Sequence, residues 1–69
     1  MRDEIIFQVE EAPEGGYTAK AIGFSIFTEA DTIEELKKMV KEAVLCHFEE
    51  GERPKLIRLH FVKEETILV

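Results

Sequence analysis

Alternating apolar positions predict two strands at the start of the chain. Every second residue of segment 4–9 is apolar, and segment 17–22 repeats this alternation from Tyr17 onward. Between them lie Pro13 and the pair Gly15 and Gly16. Proline followed by two glycines favours a turn, because glycine adopts the positive φ that hairpin turns need. We therefore predict a β-hairpin whose turn is formed by Gly15 and Gly16.

Two further extended segments follow the same kind of pattern. Gly23 interrupts the second apolar run, which favours a bulge, a bend or a close backbone approach. Residues 24–28 are predicted to form a third strand, and residues 55–62 a last clear strand whose odd positions face the helix. The apolar end of segment 64–69 favours one more short strand, in this chain or in a neighbouring copy.

An amphipathic helix from Thr32 to about Glu50 is the strongest element. Thr32 and Glu35 have the spacing of a capping box. Gly51 and the proline after it are expected to end the helix. The residues at helical spacing that we expect to form one buried stripe are Ile33, Leu36, Val40, Ala43, Val44 and His47.

The order of these elements is β-β-β-α-β. Three strands before one helix predict an α+β fold, with the helix packed on one face of a small antiparallel sheet. A length of 69 residues predicts a single domain over residues 1–69. The structural positions that we expect to support this domain are Gly15, Gly16, Tyr17, Gly23, Thr32 and Glu35.

The second face of the sheet is the predicted interaction surface. Its last strand mixes apolar and polar residues, and an apolar segment follows it. We therefore expect a partner to cover this surface and shield it from water. Small domains without disulfides or metals often gain stability by oligomerising, which favours self-association as a dimer or tetramer. The residues predicted at this interface are Leu56, Arg58, His60, Val62, Ile67 and Leu68.

Charge and composition narrow the functional classes. Nine basic and 15 acidic residues give a net charge of −6, which disfavours direct nucleic-acid binding and favours a basic partner. The acidity also has a simpler interpretation, which is solubility. The single cysteine, Cys46, cannot form an internal disulfide, so a reducing compartment and the cytoplasm are expected. The first residues contain no apolar run of the kind found in signal peptides or membrane spans.

The chain shows no sequence pattern typical of an enzyme or a metal site. Cys46 and His47 are neighbours on a helix and point about 100° apart, so they cannot chelate one ion together. Cys46 also lies far from the helix N-terminus that would activate it as a nucleophile, with or without His60. The acidic clusters beside the turns are expected to be solvated. We therefore expect no catalytic residues, metal or cofactor.

Several short motifs, in their order and spacing, resemble the HicB-like antitoxin superfamily. They are Gly16-Tyr17, the run Thr28-Glu29-Ala30-Asp31-Thr32, and Glu35-Leu36. The resemblance implies a partial ribonuclease-H-like fold without its catalytic residues, and a small basic HicA-type toxin that cleaves messenger RNA as a partner. Residues 21–27 depart from the Pro-x-Leu-Pro-Gly-Cys-like segment of many members. We also expect a stand-alone, single-domain member without the DNA-binding segment that many members carry.

Three functional hypotheses result. The first is a non-enzymatic protein-binding module that self-associates and masks such a toxin. The alternative is a structural homo-oligomeric domain with no toxin partner. A third, less favoured, is an unusual hydrolase or ligand-binding protein with a cleft that gathers Glu29, Asp31 or His60.

Overall fold

The computed structural model describes residues 3–69, so the first two residues of the predicted domain lie outside the described part. The elements are β1 (Glu4–Glu11), β2 (Tyr17–Ala21), β3 (Phe27–Ala30), α1 (Ile33–His47), a short 3₁₀ helix (Glu50–Glu52) and β4 (Leu56–Phe61). The predicted α+β fold and its β-β-β-α-β order are confirmed. Segment 64–69 forms no strand within this chain.

The four strands form one sheet in the order β3-β2-β1-β4. β1 and β2 pair antiparallel, as do β2 and β3, whereas β4 pairs parallel to β1. The sheet is therefore mixed, and the wholly antiparallel pairing expected from the sequence is wrong for β4. The reason is that α1 carries the chain back from the end of β3, so the next strand runs in the same direction as β1.

The hairpin between β1 and β2 has the turn that the glycines predict. Gly15 has φ +104° and Gly16 has φ +81°. The N–H of Gly15 donates to the carbonyl of Ala12, and the N–H of Ala12 donates to the carbonyl of Gly16, both at 3.0 Å. A Cβ atom added to Gly16 would lie 2.8 Å from the carbonyl oxygen of Ala30. The second glycine is thus required both by its backbone angle and by the close approach of β3.

β3 begins later than predicted. Gly23 has φ +87° in a turn after β2, and the N–H of Ala21 donates to the carbonyl of Ile26 at 2.9 Å. This turn takes up the residues around Phe24, so pairing with β2 starts only at Phe27. The apolar residues at 24 and 26 pack against the core from the turn and not from a strand.

The predicted helix start is confirmed and its end is earlier than predicted. The side chain of Thr32 accepts a hydrogen bond from the N–H of Glu35 at 3.1 Å. Helical geometry stops at His47, because Phe48 is extended (φ −108°, ψ 143°). The ring of Phe48 packs edge-on against Phe24, with centroids 5.1 Å apart, and this contact favours the extended backbone. Gly51, the predicted stop, lies in the 3₁₀ helix instead.

One core fills the space between α1 and the sheet. β1 contributes its odd residues from Ile5 to Val9, and α1 contributes Leu36, Val40 and Val44. His47 is exposed and not part of the buried stripe as predicted. Its ring lies at the helix end against Phe24 and Phe48, at centroid distances of 5.9 and 4.9 Å.

The helix does not cover the whole sheet. Its backbone lies nearest β3 and β2, and its core side chains also cover the buried residues of β1, whereas β4 lies beyond them. A helix about 10 Å wide covers roughly two strands spaced about 4.8 Å apart. In a four-stranded sheet the far edge therefore stays open on the helix side.

Candidate protein-binding groove

The uncovered edge leaves a groove between α1 and β4. Ile57, Leu59 and Phe61 of β4 are in register with Ile5, Phe7 and Val9 of β1, so they point to the same side of the sheet as the core. Ile57 and Leu59 are only half-buried, and Phe61 is 54% exposed. Three large apolar side chains thus remain in contact with water where the helix does not reach.

The groove has a volume of about 600 Å³. Its helix side is formed by Val40, Val44 and Leu45, and its strand side by the apolar residues of β4 just described. Arg53 supports this wall, because its Nη2 donates to the carbonyl of Leu45 at 3.2 Å. Four basic residues also line the groove, although the chain as a whole is acidic: Lys37, Lys41, Arg53 and Lys55.

The backbone of β4 adds hydrogen-bonding groups to this surface. The N–H of Leu56 donates to the carbonyl of Asp3 at 3.0 Å, and the N–H of Val62 donates to the carbonyl of Val9 at 2.8 Å. Backbone groups alternate along a strand, so those of the odd residues of β4 point away from β1. β4 is an edge strand in the sheet that residues 3–69 form, and such an edge is a template for another strand.

The side chains of the predicted interface residues of β4 point to the opposite side of the sheet, and Leu56, at the start of the strand, also lines the groove. Leu56, Arg58 and His60 are in register with Glu4, Ile6 and Gln8. Nη2 of Arg58 lies 2.9 Å from Oε1 of Glu4, and this hydrogen bond and charge raise the pKa of Arg58 above its usual value. Because the pair is exposed to water, it contributes little to stability.

The remaining predicted interface residues lie on the segment after β4. Val62 is half-buried, whereas Ile67 and Leu68 are 85% and 97% exposed. The molecule measures 52 × 21 × 18 Å, and its radius of gyration is 13.5 Å, against about 11 Å for a compact chain of this length. Beyond Val62, whose N–H bonds to the carbonyl of Val9, the segment therefore extends away from the domain, and one chain does not gather the six predicted residues into a single patch.

Sequence reasoning missed the groove because it placed the odd residues of β4 under the helix. Ile57, Leu59 and Phe61 have the alternation of buried strand residues, and only their position in the sheet exposes them. The predicted element count already indicated the groove, because one helix with three buried positions is too narrow to cover all four strands of a sheet.

A second concavity, of about 570 Å³, lies where the β1–β2 turn meets β3 and the start of α1. Glu14, Glu29, Asp31 and Glu35 line it, so this surface is acidic. It lies at the β3 side of the sheet, whereas His60 lies on β4 at the opposite edge. The structure therefore brings Glu29 and Asp31 of the ligand-cleft hypothesis together in one concavity and leaves His60 apart from them.

Residues 3–69 were also considered for a metal site and a membrane span. No group of three or more His, Cys, Asp or Glu side chains in that range is arranged to hold a metal ion. None of the helices there is long and apolar enough to cross a membrane. Cys46 is an exposed free thiol on α1.

Comparison with known proteins finds close relatives. A UPF0150 protein of Archaeoglobus fulgidus is 68% identical over 54 residues, which cover 78% of this chain and 80% of the relative. A UPF0150 protein of Thermotoga maritima is 52% identical over 66 residues, which cover 96% of this chain and 93% of the relative. No family model matches the chain. No solved structure matches it either.

Proposed function

Because the chain belongs to the UPF0150 family, whose name states no activity, we propose a function from the surfaces of the molecule itself: a non-enzymatic protein-binding module that self-associates. The observation that carries this proposal is the apolar groove between α1 and β4 beside the free edge of β4. The single free thiol, Cys46, fits the reducing cytoplasm, which we propose as its location.

The energetic argument rests on exposed apolar side chains at the edge of the sheet. Leu56 is 60% exposed and Phe61 is 54% exposed. Full burial of a side chain of this size stabilises a complex by about 1.5–3 kcal/mol. A strand added to the edge also satisfies backbone groups that otherwise bond to water. Both gains occur at the same place, which supports protein binding there.

Sedimentation equilibrium tests self-association. We expect a mass at least twice the chain mass of 8.0 kDa at micromolar concentration. Leu59→Glu replaces an apolar side chain of the groove by a carboxylate that must lose its water in the complex, and it is expected to give the monomer mass. The control Met39→Glu alters an exposed apolar residue that does not line the groove and should retain the wild-type mass. A wild-type protein of monomer mass at all concentrations would refute the proposal.

The acidic concavity supports the second half of the proposal, a basic partner such as a small HicA-type toxin. Glu14, Glu29, Asp31 and Glu35 lie together there, and complementary charge speeds association with a basic protein. This surface is separate from the groove, so self-association leaves it accessible.

Co-expression with a small basic HicA-type toxin tests this half. We expect the chain to restore growth and to stop RNA cleavage by the purified toxin. Glu14→Lys with Glu29→Lys should abolish protection, whereas the control Glu49→Lys with Glu50→Lys makes the same change in charge outside the concavity. If the wild-type chain neither binds nor inhibits the toxin, the toxin half of the proposal is refuted. The alternative, a structural homo-oligomeric domain without a toxin partner, then replaces it.

A further inference from the structure

A segment of the chain itself matches the groove and the free edge. Segment 62–69 follows β4 directly and extends from the domain, with Ile67, Leu68 and Val69 almost fully exposed. Building on the self-association proposed above, we infer that this segment pairs antiparallel with β4 of a second copy. The exchange is reciprocal, so two chains of residues 56–68 lie side by side about a two-fold axis at Val62.

Symmetry limits the registers in which two identical strands can pair. In a two-fold antiparallel pair, residue i of one copy lies opposite residue j of the other, and i plus j is constant. Residues that lie opposite each other point to the same side of the sheet, so i and j must both be odd or both be even. The odd residues of segment 62–69 therefore point to the helix side of the partner, where the groove is.

The charged and apolar residues that would lie opposite each other favour the register with Val62 on the two-fold axis. Centring on Lys63 or Glu64 would place two like charges opposite each other, which destabilises a strand pair. Centring on Phe61 would leave Ile67 and Leu68 beyond the start of the partner's β4. Centring on Val62 places each valine opposite its copy.

The register centred on Val62 also pairs the exposed apolar residues. Leu68 lies opposite Leu56 of the second copy, and Ile67 lies opposite its Ile57. His60 lies opposite Glu64, which is a favourable polar pair. Arg58 lies opposite Thr66, so each of the six interface residues predicted from the sequence has a residue opposite it in the second copy.

The groove accepts the odd residues of the incoming segment. Ile67 enters beside Ile57 and covers apolar side chains that α1 leaves open. Glu65 enters beside Leu59, in a groove lined by Lys37 and Lys41. The basic lining, which is unusual in a chain of net charge −6, is thereby complementary to the carboxylate of Glu65, whereas Lys63, the other charged odd residue, lies opposite Phe61.

The backbone N–H and C=O groups at the free edge of β4 have the alternation that this pairing needs. The N–H of Val62 bonds to β1, so the even residues of β4 turn their backbone groups inward and the odd residues turn theirs to the free edge. Val62 and its copy therefore form a non-hydrogen-bonded pair, with Cα atoms about 4.5 Å apart. That distance allows a disulfide between two cysteines.

A cysteine at the two-fold axis tests the register in the full chain. In a Cys46→Ser background, Val62→Cys should form a disulfide-linked dimer under mild oxidation. Lys63→Cys is the control, because residue 63 lies opposite residue 61 and about 7–8 Å from its own copy. We expect cross-linking of Val62→Cys to be about tenfold faster, since a disulfide requires a Cα separation below about 7 Å. Equal rates for the two variants would overturn the register.

Charged substitutions on the segment test its role in assembly. Ile67→Glu and Leu68→Glu alter exposed residues, so the single chain should fold as the wild type does by circular dichroism. Each is expected to weaken dimerisation about a hundredfold, because an apolar contact with the second copy is lost and the new carboxylate is removed from water. Met39→Glu should leave the dimer intact. A wild-type dimer that survives both segment substitutions would overturn this inference and leave self-association standing, whereas a monomeric wild type would overturn both.

Discussion

Replacing Gly16 by alanine is expected to damage the hairpin more than the same change at Gly15. Both glycines have positive φ, +81° and +104°. An L-residue in that region costs about 1–2 kcal/mol. At Gly15 the added methyl group meets no atom within 4 Å, so this backbone cost is the whole effect.

At Gly16 the methyl group also meets backbone. Its Cβ would lie 2.8 Å from the carbonyl oxygen of Ala30, which is paired with Tyr17 across β2 and β3. Backbone cannot rotate away as a side chain does, so the strands must shift at a further cost of about 1–3 kcal/mol. The sum, about 2–5 kcal/mol, is a large part of the roughly 3–10 kcal/mol expected for a domain of this size.

Thermal unfolding followed by circular dichroism measures both variants against the wild type. All three proteins need the same concentration, because self-association adds stability that depends on concentration. We expect Gly15→Ala to lower the unfolding temperature by about 4–16 °C and Gly16→Ala by clearly more. Equal losses for the two variants would refute the reasoning, since the contact with Ala30 would then cost nothing.

Two threonines give further predictions. Thr28 has a buried hydroxyl with no hydrogen-bond partner in the described part of the chain, so Thr28→Val should raise stability by about 1 kcal/mol in urea unfolding, whereas Thr18→Val should change it little. Thr32→Ala removes the side-chain bond to the N–H of Glu35 and should lower stability by about 1 kcal/mol, while Thr32→Ser retains the hydroxyl and should lose much less. A neutral Thr32→Ala would show that the cap bond contributes nothing.

Local signals predicted the hairpin turn and the helix start correctly. Gly15 and Gly16 have the positive φ that a turn of this kind needs, and Thr32 has the cap bond that its spacing with Glu35 predicts. Each of these depends on residues close together in the chain. The end of α1 was placed too late, because it depends on Phe48 packing against Phe24, which is 24 positions earlier.

Only some residues of the candidate site could be predicted from the sequence. The pattern identified exposed apolar residues at Leu56, Ile67 and Leu68, but it placed Leu59 and Phe61 under the helix. Which strand the helix covers depends on the sheet order, and alternation in one strand carries no information about its neighbours.

The sequence by itself determined the identity and order of the elements, the sheet face of each residue in β1 and β2, and the start of α1. Side-chain periodicity, glycine φ and capping act over a few residues, so they can be inferred without the fold. Only the tertiary structure decided that β4 runs parallel to β1 at the free edge and that the backbone of α1 lies nearest β2 and β3, away from β4. That choice depends on long-range packing of one narrow helix on four strands, and it creates the groove.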